Sequence, residues 1–101
     1  MITDLLKFTI KEGHTEEAIK LFTEQMKNNL GDEGCMMSKA FQSQTKTNEI
    51  FLLLCWENQQ AIDKHLQTDH DLAFRSKLDP IIIGPPDRLD WETISSINNP
   101  A

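Results

Sequence analysis

From Ile50 to Trp56 every position is apolar, Ile-Phe-Leu-Leu-Leu-Cys-Trp. A strand with one solvated face alternates apolar and polar side chains, so an unbroken apolar run of this length predicts a strand covered on both faces. Glu57, Asn58, Gln59 and Gln60 break the run. Ala61, Ile62, His65 and Leu66 then recur at the spacing of one helical face, which points the His65 imidazole the same way as an apolar stripe.

The rest of the chain divides into elements of the same clarity. Leu6, Phe8 and Ile10 alternate with Leu5, Lys7 and Thr9, predicting a strand over Ile2 to Ile10 that Lys11-Glu12-Gly13 ends. A helix follows from Thr15 to Asn29, with Glu16 and Glu17 complementing the dipole of its first turn and Ala18, Ile19, Phe22, Met26 and Leu30 on its apolar face. Gly31-Asp32-Glu33-Gly34 turns the chain into a strand over Cys35 to Gln44, which the polar loop Ser43 to Asn48 joins as a hairpin to the apolar run. Thr68 and Asp71 have the spacing of a capping box for a second short helix through Leu72, Phe74 and Leu78, closed by Pro80. An apolar connector, Ile81 to Asp87, leads to a last strand in which Leu89, Trp91 and Thr93 alternate with Asp90, Glu92 and Ile94.

This order is β-α-β-β-α-β, so the expected fold class is α+β: a ferredoxin-like, four-stranded antiparallel sheet with both helices on one face. Residues 1–101 form one domain, with residues 94–101 as a C-terminal extension. The doubly apolar strand still needs a cover on the bare sheet face. A second copy of the same sheet is the simplest provider, which predicts a homodimer joined sheet to sheet.

Composition narrows the function classes. With 39% hydrophobic and 26% charged residues the chain is an ordinary globular domain rather than a disordered one. Ten basic against sixteen acidic residues give a net charge of −6, which disfavours nucleic acid and anionic membrane surfaces. The N-terminus has no secretory pattern and no segment approaches the roughly 20 apolar residues of a membrane span, so a cytoplasmic location is expected. Cys35 and Cys55 are expected as free thiols, and their 20-residue spacing makes no zinc pattern, so no metal is expected. None of the four glycines builds a phosphate loop, so neither flavin nor nicotinamide has a site and no cofactor is expected.

Several features together resemble the antibiotic biosynthesis monooxygenase family of dimeric α+β barrel proteins. They are the strand opening Gly34-Cys35, the apolar strand ending Trp56-Glu57, Ala61 and His65 five and nine residues past the tryptophan, Thr68-Asp69-His70 before an apolar turn ending in Phe74, and Gly84-Pro85-Pro86 before the last strand. The resemblance spans nearly the whole chain and implies the fold more firmly than the activity, because the family hosts many chemistries, cofactor-independent quinol oxygenases among them. Members often carry a glutamate where this chain has Leu54. The similar haem-degrading enzymes place an asparagine, a tryptophan and a histidine where Leu6, His65 and Arg75 stand here, so haem is not expected.

The chemistry these residues suggest is oxidation of a small quinol-like or polycyclic aromatic by O2 without a cofactor. His65 would be the catalytic base toward a phenolic hydroxyl, and Trp56, Phe74, Phe22 and Met26 would line an apolar substrate pocket, with His70 beside it. Against this stand an isomerase or lyase using His65 and His70 as acid and base, and a dimeric small-molecule-binding protein without turnover. A plain packing role is also open to each residue: His65 as a helix cap, Trp56 as core, and the methionines as filler.

Overall fold

The computed structural model describes residues 1–95. Four strands, β1 (Ile2–Thr9), β2 (Cys35–Gln42), β3 (Glu49–Trp56) and β4 (Asp87–Glu92), form one sheet in the order β2-β3-β1-β4. Every neighbouring pair is antiparallel. Helices α1 (Thr15–Leu30), α2 (Gln59–His65) and α3 (Asp69–Leu78) complete the fold, with a short 3-10 turn over Asp79–Ile81 where Pro80 stops α3. This is the ferredoxin-like α+β arrangement expected from the periodicities, its second helical segment divided in two. Residues 96–101 of the expected extension lie outside the described residues.

Register assigns the faces. Leu6 lies opposite Leu52 and Phe8 opposite Ile50, and these side chains join Leu54, Trp56, Phe22, Phe74 and Leu78 in the core beneath the helices. Edge-on aromatic contacts tie this core together, with Phe8–Phe22 and Phe22–Phe74 ring centroids at 5.1 and 5.3 Å. The alternate residues Phe51, Leu53 and Cys55 lie on the other face, level with Phe41, Lys39 and Met37 of β2. That face continues through Leu5, Leu89 and Trp91, so the doubly apolar strand has helices on one side only. Phe41, Leu89 and Trp91 remain about half exposed there, at 49%, 52% and 50%.

Two expectations need correction at α1. Ile19 and Leu30, placed on its apolar face, are exposed, while Gln25 and Asn29 are buried. The buried set Ala18, Phe22, Gln25, Met26 and Asn29 keeps helical spacing, so the helix turns the same side to the sheet but ends it in two amides that serve a polar network. On α3 the stripe is likewise shifted: Leu72 is exposed, and Asp71, Phe74 and Leu78 are buried.

Candidate active site

Between the inner face of the sheet and the α2–α3 wall lies a cleft of about 290 Å³. Its floor is Leu6 and Phe8 of β1 with Leu52 and Leu54 of β3, and its wall includes Ile62, His65, Phe74 and Leu78. Polar groups enter from several elements: Asp4 from β1, Arg88 from β4, Gln25 and Asn29 from α1, and Asp71, Arg75 and Asp79 from α3 and its end. An apolar floor on which polar groups converge is the usual form of a small-molecule site. Leu54 makes the middle of the floor hydrocarbon.

The wall is held by a polar network anchored in the turn between α1 and β2. Gly34 in that turn adopts φ +80°, and a Cβ there would lie 2.5 Å from the Ala61 Cβ, so only glycine lets the turn approach α2 this closely. The close approach brings Asp32 to the histidines. His65 Nδ1 lies 2.7 Å from Asp32 Oδ2, His65 Nε2 lies 3.2 Å from Asp71 Oδ1, and His70 Nε2 lies 2.8 Å from Asp32 Oδ1. Gln25 donates from Nε2 to Asn29 Oδ1 at 2.9 Å and to Asp71 Oδ1 at 3.3 Å, and Arg75 Nε pairs with Asp71 Oδ2 at 2.9 Å. Thr68 caps α3 by accepting from the Asp71 amide, the local geometry that its spacing predicted, although the Asp71 side chain turns to His65 and Arg75. Burial works against a charge on His65, but hydrogen bonds from the ring to Asp71 and Asp32, with the charges of both, hold its pKa above the ordinary value.

Asp4 is the other buried acid of the cleft, 3% exposed, and its Oδ1 has no hydrogen-bond partner among the described residues. Oδ2 accepts from Arg88 Nη2 at 3.4 Å. Desolvation, reinforced by Asp90 directly across the ladder, pushes the Asp4 carboxyl up to about 6, with Arg88 opposing the shift.

Of the six residues singled out from the sequence, His65 and Phe74 line the cleft. Trp56 is fully buried beneath His65, with ring centroids 4.7 Å apart, because the inward end of β3 is roofed by α2. Phe22 and Met26 pack in the core against the sheet, where Ser38 donates to the Met26 sulfur at 3.0 Å, and neither reaches the cleft. His70 belongs to the Asp32 network outside the cleft lining. Asp4, Asp32, Asp71 and Gln25 were not foreseen. Asp4 had a signal in plain view, since it shares parity with the inward Leu6 and Phe8.

A family model described as antibiotic biosynthesis monooxygenase matches residues 1–77. The chain belongs to the antibiotic biosynthesis monooxygenase family. Solved structures agree on the fold of this monooxygenase-family chain. A Nitrosomonas europaea protein assigned to the same family superposes with TM-score 0.90 over 94% of this chain and 100% of that one, at 16% identity. A Deinococcus radiodurans protein assigned likewise gives TM-score 0.88 over the whole of both chains at 14% identity, and a conserved Bacteroides thetaiotaomicron protein gives 0.81 over 89% and 96% at 20%. No curated protein matches. Among the described residues no helix is long and apolar enough to cross a membrane.

Proposed function

We propose that this family member is a cofactor-independent monooxygenase that oxidises a small quinol-like or polycyclic aromatic with O2. The observation carrying the proposal is the cleft itself: an apolar floor of a size for one or two rings, with a buried, partly unsatisfied carboxylate at Asp4. A phenolic hydroxyl donated to Asp4 Oδ1 would satisfy that oxygen and give up its proton there, and the electron-rich anion is the form that reduces O2. Electron transfer gives a radical pair that joins at the ring carbon ortho or para to the oxygen, the CH2 carbon of the keto form, and the peroxide takes the proton back from Asp4 to become a hydroperoxide. Loss of water then leaves a carbonyl, so a CH2 group and O2 become C=O and H2O, with one oxygen atom in each product.

His65 was the base expected from the sequence. Both its ring nitrogens face carboxylates, at 2.7 and 3.2 Å, so we assign proton acceptance to Asp4 and give His65 the part of holding Asp71 and the cleft wall. Arg88 beside Asp4 favours the anion formed at the floor. The same reading includes a homodimer formed through the apolar sheet face, with cleft and helices turned outward.

Oxygen-isotope labelling tests the reaction. With 18O2 and an anthrone or hydroquinone, the enzyme should place one labelled atom in the product carbonyl and the other in water. Unlabelled product, or uptake no faster than in buffer, would refute turnover and leave the binding-protein reading.

A further inference from the structure

Donor and acceptor positions around Asp32 do not balance with neutral side chains. An ionised carboxylate only accepts, so His65, with Nδ1 on Asp32 and Nε2 on Asp71, needs a proton on each nitrogen. His70 Nδ1 lies between the two ends of the Gln25 amide, 3.2 Å from Nε2 and 3.4 Å from Oε1, so this ring can be neutral or carry a proton on each nitrogen. His70 Nε2 meanwhile faces both Asp32 oxygens, at 2.8 and 3.0 Å. Satisfied by protons alone, the cluster holds an imidazolium at buried His65 and a second imidazole 5.7 Å away between centroids, with both rings turned to Asp32.

One divalent cation would take the place of the protons that His65 Nδ1 and His70 Nε2 turn toward Asp32. We propose that Asp32, His65 and His70 form a binding site for a single divalent transition-metal ion, held by the Asp32 carboxylate, His65 Nδ1 and His70 Nε2. One ligand atom from each residue lies within 4.8 Å of the other two. A tetrahedral ion with bonds of about 2.1 Å sets its ligand atoms about 3.4 Å apart, which small side-chain rotations reach from here. A metal-bound histidine donates its outward N–H, and an acceptor is within reach of each: Asp71 Oδ1 3.2 Å from His65 Nε2, and Gln25 Oε1 3.4 Å from His70 Nδ1. Two imidazoles and one carboxylate, with a water completing the set, suit zinc and its neighbours rather than magnesium or calcium. Asp32 and His70 are not among the residues lining the cleft, so the ion fastens the α1–β2 turn to α2 and α3 and takes no part in the proposed oxidation.

This differs from the expectation of no metal, which rested on cysteine spacing; the present ligands lie 33 and 38 residues apart in sequence and meet only in the fold.

The test uses the untagged full chain, stripped with chelator and dialysed, then titrated with Co2+ and followed by the visible d–d bands of protein-bound cobalt. The expected result is saturation at one equivalent per chain, displacement by Zn2+, and a raised melting temperature with either ion. Asp32→Asn and His70→Gln should each abolish the saturable band, and Asp71→Asn should weaken binding by about 10- to 100-fold. His14→Gln, a change at an exposed ring paired with Glu17, should leave the titration unaltered. Absence of a saturable band and of a thermal shift in the wild-type chain would overturn the proposal. So would a band unchanged in both Asp32→Asn and His70→Gln, whose folding circular dichroism verifies.

Discussion

Asp4 shows how a single side chain carries both stability and chemistry. Its folded pKa, about 6, lies above the ordinary value of 3.8, so folding favours the protonated carboxyl. The corresponding stabilisation is complete below the ordinary value and is lost as the pH rises through about 6. Asp90, whose pKa is lowered by the neighbouring Asp4 carboxyl and by its pairing with Arg88, works in the opposite direction and reduces the net effect. Between pH 4 and 7 the wild-type chain should therefore lose stability relative to Asp4→Asn, by at most about 3 kcal/mol, measured by urea denaturation across that range. A flat difference would show that the carboxyl is not desolvated. Residues of this kind were only half legible in the sequence. Parity placed Asp4 on the inner face, and helical spacing placed His65 inward, but the partners of both come from other elements, so no local pattern announced Arg88 above Asp4 or Asp32 beside His65.

At the scale of elements, the α2–α3 corner and the turn beneath it decide the shape of the cleft wall. Asn58 and Thr68 cap the two short helices by accepting from the amides of Ala61 and Asp71. Helices of 7 and 10 residues have little stability of their own, so these caps matter. Thr68→Ala should lower unfolding free energy by about 1 kcal/mol. Gly34→Ala should do more harm, by about 1–3 kcal/mol, because a Cβ at φ +80° meets Ala61 and forces the Asp32 turn away from His65. Thermal denaturation of the two variants checks both, and a harmless Gly34→Ala would mean that the turn is not held against α2. Element types and their order were readable because periodicity is local. The exact stripe of α1 was not: Gln25 and Asn29 look like solvent-facing residues until the network that satisfies them is known.

For the whole molecule, the uninterrupted apolar run of β3 foretold a sheet covered on both sides, and the single chain covers only one. Leu5, Phe51, Leu53, Leu89 and Trp91 form the remaining face, and the proposed second copy would cover it. Light scattering at micromolar concentration should give twice the chain mass, and Leu53→Lys should give monomer or aggregate, since a lysine buried there without a partner costs several kcal/mol. A wild-type monomer would remove the dimer from the account. The global fold was legible because these patterns leave one common topology, whereas the cleft chemistry depends on contacts between residues tens of positions apart. If this cleft oxidises a quinol-like ring with Asp4 taking the hydroxyl proton, the pH dependence of oxygen uptake must differ between wild type and Asp4→Asn. The wild-type rate should rise through an apparent pKa of about 6, and the Asp4→Asn rate should be lower by about 10² and lack that rise. Equal uptake by both proteins over the whole pH range would rule out Asp4 as the proton acceptor.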